Sequence, residues 1–331
     1  MDSNDKHKEA VETAFTEYER DSVRLRPELV EQAQEVHPKV RKAAEAAFPG
    51  KTTSWLSGSF GRKTQAGPKL KDIDIIVEFD DVDEVLETPP SRFLAHVARA
   101  TDQCELVLRS KPCRRAVECS LLDYEFTVDI VPGICHPDGR RLYLANVSDK
   151  DGIDRWDPLN PRGQRDAATA MNRTTGGLYI PVVRLIKYWN QSFGKDNKPL
   201  KSYHAEALVH HSIEGATGFV EAVIACFDHA YEKLAPGELT ADPGDPSQFI
   251  DQLLDPGKRA EGRAAVAGAR ERAHEAAELA DPDQAAEIWA TIFPGFPSPG
   301  MSASAVRRTL GVGLVPGTER ERIPGRSWRS R

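Results

Sequence analysis

Apolar residues recur at helical spacing through the first 47 positions, where Ala10, Val11, Ala14, Phe15 and Tyr18 fall on one stripe between charged neighbours. The pattern predicts helix from about 5 to 47, divided by Pro27 and Pro38 into two or three pieces and ended at Pro49-Gly50. From Thr52 to about Pro132 the period shortens to that of strands. The runs TTSWL, DIDIIVEF, CELVLR, RAVECSLL and EFTVDIV are separated by turn residues or by a helical insert, SRFLAHVARAT, over 91–101. After Trp156 the helical period returns, with helices expected over 163–173 and 178–193 on either side of Gly176-Gly177. In the second of these Leu178, Val182, Leu185, Ile186 and Trp189 share a face, and Pro181 falls in the first turn, where proline is tolerated. A further helix follows Ser202, another covers 216–234, PGELTADPGDPSQ reads as loop, and helices close the chain at 258–280 and 283–292. The fold class is therefore α+β, a mixed sheet with helices followed by a helical domain. Its expected parts are N-terminal helices over 1–50 bracing the core, a sheet core over 51–155, helices over 156–297, and a flexible basic tail over 298–331.

Composition narrows the function classes. The chain has 331 residues, 40% hydrophobic and 29% charged, as in an ordinary globular protein. It has no apolar run of about 18 residues, and the charged start MDSNDKHKEAVE lacks the apolar core of a signal peptide, so a cytoplasmic protein without a membrane partner is expected. A net charge of −7 speaks against long nucleic acid as a partner, because such binding rests on a broad basic face. The tail after Pro299 is the exception, with seven arginines against two glutamates. Five cysteines form no C-x-x-C pair and read as free thiols, Cys135-His136 included, since a zinc site needs two spaced pairs.

The chemistry concentrates in Ser57-Gly58-Ser59-Phe60-Gly61-Arg62-Lys63-Thr64, followed by Asp72-Ile73-Asp74-Ile75. A strand running into Gly58-Ser59 and then into a helix start offers backbone amides to phosphate oxygens, and the Ser59 hydroxyl adds a donor. Side chains alternate along a strand, so Asp72 and Asp74 share one face while Ile73 and Ile75 take the other. Neighbouring carboxylates repel and aspartate is a poor strand former, which points to a bound cation; oxygen-only ligands favour Mg2+ or Mn2+ over zinc. A later strand, EFTVDIV, turns Asp129 away from Val128 and Ile130 in the same manner. If the two strands pair, three aspartates converge in an arrangement suited to two divalent ions and phosphoryl-type transfer.

GSFGRKT…DIDIIV followed by FTVDIVP resembles the signature of polymerase-β-like nucleotidyltransferases. More narrowly the chain resembles the bacterial relatives of cyclic GMP-AMP synthase and oligoadenylate synthase, the cyclic-oligonucleotide synthases (CD-NTases) of antiphage CBASS systems. The resemblance extends over most of 50–297, through Trp156 with NPRG, the Asn172 region, VVRLIKYWNQ, LKSYHAEALV and AAEIWATIFPGFP. It implies a nucleotidyltransferase core with a helical domain that clamps nucleotide. Asp72, Asp74 and Asp129 would be metal ligands, and Gly58 and Ser59 the phosphate-cradling turn. Lys187 and Ser202 would contact the triphosphate and Tyr203 would stack on a base. Read without the resemblance, Lys187 lies off its helix's apolar stripe, Ser202 could cap the following helix, Tyr203 could be core, and Arg62 and Thr64 either brace the loop or approach phosphate.

The resemblance also implies nucleoside triphosphates, ATP among them, as substrates, a cyclic di- or trinucleotide as product, and regulatory proteins encoded nearby as partners. No cysteine/histidine cluster resembles the zinc element of the DNA-sensing relative. The chain ends Arg329-Ser330-Arg331 rather than in a small residue, so no conjugating role is assigned to it. The alternatives are a terminal RNA or antibiotic-modifying nucleotidyltransferase, and a catalytically silent nucleotide-binding module.

Overall fold

The computed structural model describes residues 3–46, 48, 52–79 and 83–298. The tail expected after Pro299 and the helix stop expected at Pro49-Gly50 lie outside the described residues. The chain begins with helix α1 (Ser3–Tyr18), a single π-helical turn over Glu19–Val23, and α2 (Pro27–Glu45). Pro27 opens α2 as expected, but Pro38 does not divide it. Ala33, Val36, Val40 and Ala44 form one buried stripe on both sides of Pro38, which is itself exposed. The hydrogen bond that proline removes therefore falls on the solvent face, and packing of the stripe carries the helix through.

Among the described residues a seven-stranded sheet follows. Its strands are β1 (Thr52–Leu56), β2 (Asp72–Phe79), β3 (Val107–Pro112), β4 (Val117–Leu121), β5 (Thr127–Cys135), β6 (Leu142–Ser148) and β7 (Ile153–Leu159). A one-turn helix α3 (Gly58–Gly61) joins β1 to β2, and α4 (Asp83–Leu86) and α5 (Pro90–Thr101) precede β3. The spatial order is β1-β2-β5-β4-β3, with β6 on the far end of β5 and β7 beside β6. Only β2 and β5 are parallel; every other neighbouring pair is antiparallel. The alternation read from DIDIIVEF and EFTVDIV has a direct counterpart. Ile73, Ile75, Val77, Phe79, Val128 and Ile130 are buried against α2 and α5. The opposite face carries Asp72, Asp74 and Asp129.

Two strands escaped the sequence reading. The Leu142–Leu159 hairpin extends the sheet beyond Pro132, and β7 runs through Trp156, the residue at which helix was expected to resume. The indole Nε1 of Trp156 donates to the Thr88 carbonyl and the ring packs on Phe93. The helices begin instead at α6 (Pro161–Thr174), followed by α7 (Tyr179–Ser192), α8 (Ser202–Ser212), α9 (Phe219–Lys233), α10 (Pro256–Glu278) and α11 (Pro282–Ile292). The segment read as loop contains a small hairpin, β8 (Ala241–Asp242) with β9 (Asp245–Phe249). Asp242 Oδ1 accepts the Gly244 N–H across its turn, a local bond that aspartate makes readily.

Two cores result. One lies beneath the sheet against α2 and α5. The other joins α7 through α11 and takes in α1, so the two N-terminal helices serve different halves. Phe15 on α1 is wholly buried and meets Trp289 edge-on at 4.9 Å and Phe296 at 4.7 Å between ring centres. Truncating a large buried aromatic loses both transfer energy and packing. Phe15→Ala is expected to lower unfolding stability by about 3–5 kcal/mol. Denaturant melts check this, and an unchanged midpoint would contradict the placement of α1 in the helical core.

Candidate active site

The register of β2 on β5 sets Asp74 directly opposite Asp129, with Asp72 opposite Thr127 one pleat away. On the other flank of β5, β4 sets Glu118 opposite Asp129. Four carboxylates thus crowd one sheet face. Burial, then Asp72, push the Asp74 carboxyl up to about 6, against the opposing pull of Arg62 and Lys187. Burial, then Asp74, Asp72 and Glu118, push Asp129 up to about 7. Such a face is destabilised whenever it is fully ionised, and a hard divalent cation relieves it. Among the described residues no group of three or more Asp, Glu, His or Cys side chains is arranged to hold a metal ion by itself. An open site that completes its shell with water and phosphate oxygens needs fewer protein ligands, so the oxygen-only donor set of Asp72, Asp74 and Asp129 fits magnesium or manganese.

The turn between β1 and β2 lies against this face. Ser57 N–H donates to the Asp74 carbonyl at 2.8 Å. Gly58 has φ +58°, and a Cβ there would collide with Asp74 Oδ2, so both conformation and space demand glycine. The Ser59 hydroxyl donates to the Gln65 side-chain oxygen, and Thr64, fully buried, braces the loop by donating its N–H to the Ser59 carbonyl at 2.8 Å. Of the two roles open to Thr64, bracing is the one the structure displays.

Arg62, which ends α3, crosses to the helical half. Its Nε donates to Glu206 Oε2 at 2.9 Å and its Nη2 to Oε1 at 3.2 Å. Lys187 Nζ donates to the same Oε1 at 2.8 Å. Lys187 lies off the apolar stripe but is not open to the cleft: its side chain is 3% exposed and committed to Glu206. Tyr203 is half-buried, its ring 5.2 Å from the Arg62 guanidinium carbon and its hydroxyl donating to Asp242 at 2.7 Å. Ser202 is exposed at the start of α8, but it is not the cap; Lys201 holds that position and no side chain caps this end.

The structure thus gathers Gly58, Asp72, Asp74 and Asp129 on the sheet and ties Lys187 and Tyr203 to the same loop through Arg62. Glu206, Glu118, Asp242 and Lys198 were absent from the sequence reading. Partial burial, then Lys71, Lys187 and Lys195, hold the Lys198 ammonium below its usual value, while Asp72 raises it. A second cross-link lies further along the open face. Glu78 accepts Trp55 Nε1 at 2.6 Å and is paired with Arg162 of α6. The five cysteines are free thiols, as expected.

No protein-family model matches the chain. It is 25% identical over 203 residues to a probable cyclic nucleotide synthase of Bacillus cereus (strain VD146), across 52% of this chain, and spans only 59% of that relative's length. Its fold is that of the CD-NTases. The E. coli MS115-1 CdnC structure with ATP superposes with a TM-score of 0.65 at 20% identity, covering 87% of this chain and 98% of that one. The Bradyrhizobium diazoefficiens CD-NTase CdnG structure with GTP gives 0.69 at 14% identity, covering 91% and 98%. The expected fold, a nucleotidyltransferase core with a helical domain, is therefore the fold observed.

Two outcomes follow from the crowded carboxylates. A carboxyl raised to about 7 in the fold and near 3.8 when unfolded carries no ionisation penalty below about pH 4 and the full penalty above about pH 7. Asp129→Asn is therefore expected to stabilise the chelator-treated protein at pH 8, by on the order of 2 kcal/mol, with the gain fading as pH falls toward 4. Thermal melts across that range, with and without Mg2+, check the sign; a gain that grew on acidification would refute it. Gly58→Ala is expected to displace the Asp74 carboxylate and lower turnover on the order of a hundredfold, read in a pyrophosphate-release assay.

Proposed function

We propose that this chain is a metal-dependent nucleotidyltransferase that condenses nucleoside triphosphates into a cyclic di- or trinucleotide, a second messenger of antiphage defence. The observation that carries the proposal is the in-register pair Asp74 and Asp129, with Asp72 one pleat away, under a turn that admits only glycine at position 58. The CD-NTase fold and the partial likeness to a probable cyclic nucleotide synthase support the same reading.

Asp72, Asp74 and Asp129 would hold two Mg2+ or Mn2+ ions. When bound, these supply charge neutralisation for the triphosphate and favour ionisation of the attacking hydroxyl. The amides of Gly58 and Ser59 hold phosphate oxygens and Ser202 contacts the triphosphate from the helical half, while Lys187, buried against Glu206, contributes its charge rather than a direct contact. Tyr203 offers a stacking face to a base, with adenine among those accepted. The hydroxyl of a second nucleotide attacks the α-phosphorus. The bond between that phosphorus and the oxygen bridging to the β-phosphate breaks, and the electron pair leaves with pyrophosphate. The hydroxyl proton passes to Asp129, which stands directly opposite Asp74 in the sheet register. A second transfer within the linear product closes the ring. Proteins encoded nearby would switch the enzyme on.

The test is a product assay. Purified protein is incubated with Mg2+ or Mn2+ and each nucleoside triphosphate, singly and mixed, then treated with phosphatase and analysed by mass spectrometry. A phosphatase-resistant product is expected from the wild type and not from a well-folded Asp72→Ala/Asp74→Ala variant. Retained synthesis in that variant would sink the mechanism. Transfer only to added RNA, or only to an amine or alcohol acceptor, would replace a cyclic product with a terminal RNA or small-molecule transferase.

A further inference from the structure

The mechanism leaves Glu206 without a role, although it sits where the two halves meet. Its side chain is 2% exposed and its partners Arg62 and Lys187 are 8% and 3% exposed, so three ions share one buried site. Burial alone would raise the carboxyl; Lys187 and Arg62 outweigh it and hold Glu206 ionised, down at about 2. Two cations and one anion leave one positive charge in excess. A buried excess charge is costly unless an opposite charge lies near. In this structure the compensation comes from the aspartates, since Arg62 and Lys187 pull the Asp74 carboxyl down and Asp72 pulls the Lys187 ammonium up.

That compensation changes once the aspartates hold divalent ions. The excess positive charge then has phosphate as its counterpart. Arg62 closes the Gly58–Gly61 turn, and Lys187 is joined to Arg62 through a single carboxylate. An ammonium has three donors, and Glu206 takes one of those on Lys187 at 2.8 Å. Whatever phosphate gains from Lys187 and Arg62 is reduced by the negative charge beside them.

We infer that Glu206 is a positioning residue that holds Lys187 and Arg62 and competes with the triphosphate, and then with pyrophosphate, for their charge. Its role is to keep the leaving group from being held too tightly after transfer. The inference rests on the reading of the cleft as a nucleotidyl-transfer site, but it concerns only how polyphosphate is bound. Glu206→Gln keeps the shape and a hydrogen-bond acceptor while removing the charge. KM for the triphosphate is expected to fall, kcat to fall with it as pyrophosphate leaves more slowly, and pyrophosphate to inhibit more strongly. A carboxylate that merely supported the fold would give the opposite split, with KM raised.

The direct test is calorimetric titration of the full-length protein, in Mg2+, with inorganic tripolyphosphate and with pyrophosphate. Glu206→Gln is expected to bind both about tenfold more tightly than the wild type, as removal of one nearby negative charge implies. Adding Lys187→Gln to it should cancel the gain. Because Glu206→Gln leaves two unpaired buried cations and could fail to fold, a second pair of variants applies the same charge arithmetic. Arg62→Met leaves Lys187 neutralised by Glu206 and is expected to weaken pyrophosphate binding about tenfold. Arg62→Met/Glu206→Gln restores one excess positive charge and should restore binding. Weaker or unchanged binding in folded Glu206→Gln, no recovery in the double variant, or a wild type that binds neither polyphosphate overturns the inference. A chain that forms no cyclic product yet follows this charge arithmetic refutes the proposed product alone.

Discussion

Asp74 and Asp129 stand side by side on adjacent parallel strands, and like charges at that spacing push strands apart unless the surroundings oppose them. Three features provide the opposition. On the other face of the same strands, Ile73, Ile75, Val128 and Ile130 are clamped between the sheet and α2 and α5, so the strands are held from behind. In front, Arg62 and Lys187 lower the cost of ionising Asp74. Between them, partial protonation of two crowded carboxyls relieves the repulsion in the absence of a cation. The apolar half of each strand is thus the mechanical support for the acidic half.

The two halves of the molecule are joined by reciprocal ion pairs. Glu206, in the helical half, receives Arg62 from the sheet half; Glu78, in the sheet, receives Arg162 from the helical half. Each half supplies one buried carboxylate and one arginine. Buried ion pairs contribute little net stability, but removing one partner is expensive because the other is left charged and dry. Arrangements of this kind resist sliding and opening more than they favour folding. They suit a cleft whose two walls must keep a fixed separation.

The acidic face was legible in the sequence because its signals are local. A D-x-D in a β-branched run and an aspartate between Val128 and Ile130 each specify a side-chain direction, and Gly58 after a strand a tight turn, without reference to anything distant. Glu206 was not legible: it sits in the apolar run HAEALV and its partner Arg62 is 144 positions away. The hairpin at 241–249 was missed for a related reason. Its ordering comes from Tyr203, Gln164, Asn160 and His211, side chains on other elements that reach it from outside. Pro38 misled because propensity is a local statement, whereas the buried stripe that overrides it is a tertiary one. The β6–β7 hairpin did carry a signal, since Leu142 and Leu144 alternate with polar neighbours. The signal is weak because the strand continues through Trp156 to Leu159, directly before the helical pattern that opens at Pro161.

The seating of α1 has a consequence for the order in which the molecule is made. Tyr18 donates its hydroxyl to the Pro294 carbonyl, 276 positions away, and Phe15 lies between Trp289 and Phe296. Helix α1 therefore has no finished surface to pack on until Trp289 and Phe296 have followed it. The sheet half has no such dependence, because its core draws on residues no further along the chain than Trp156. Domains form as their residues emerge, and contacts between distant positions form last. During synthesis the acidic face is thus built first and stands without the cations of the helical half. The counter-charge of Lys187 reaches Asp74 only once α7 has been made and packed.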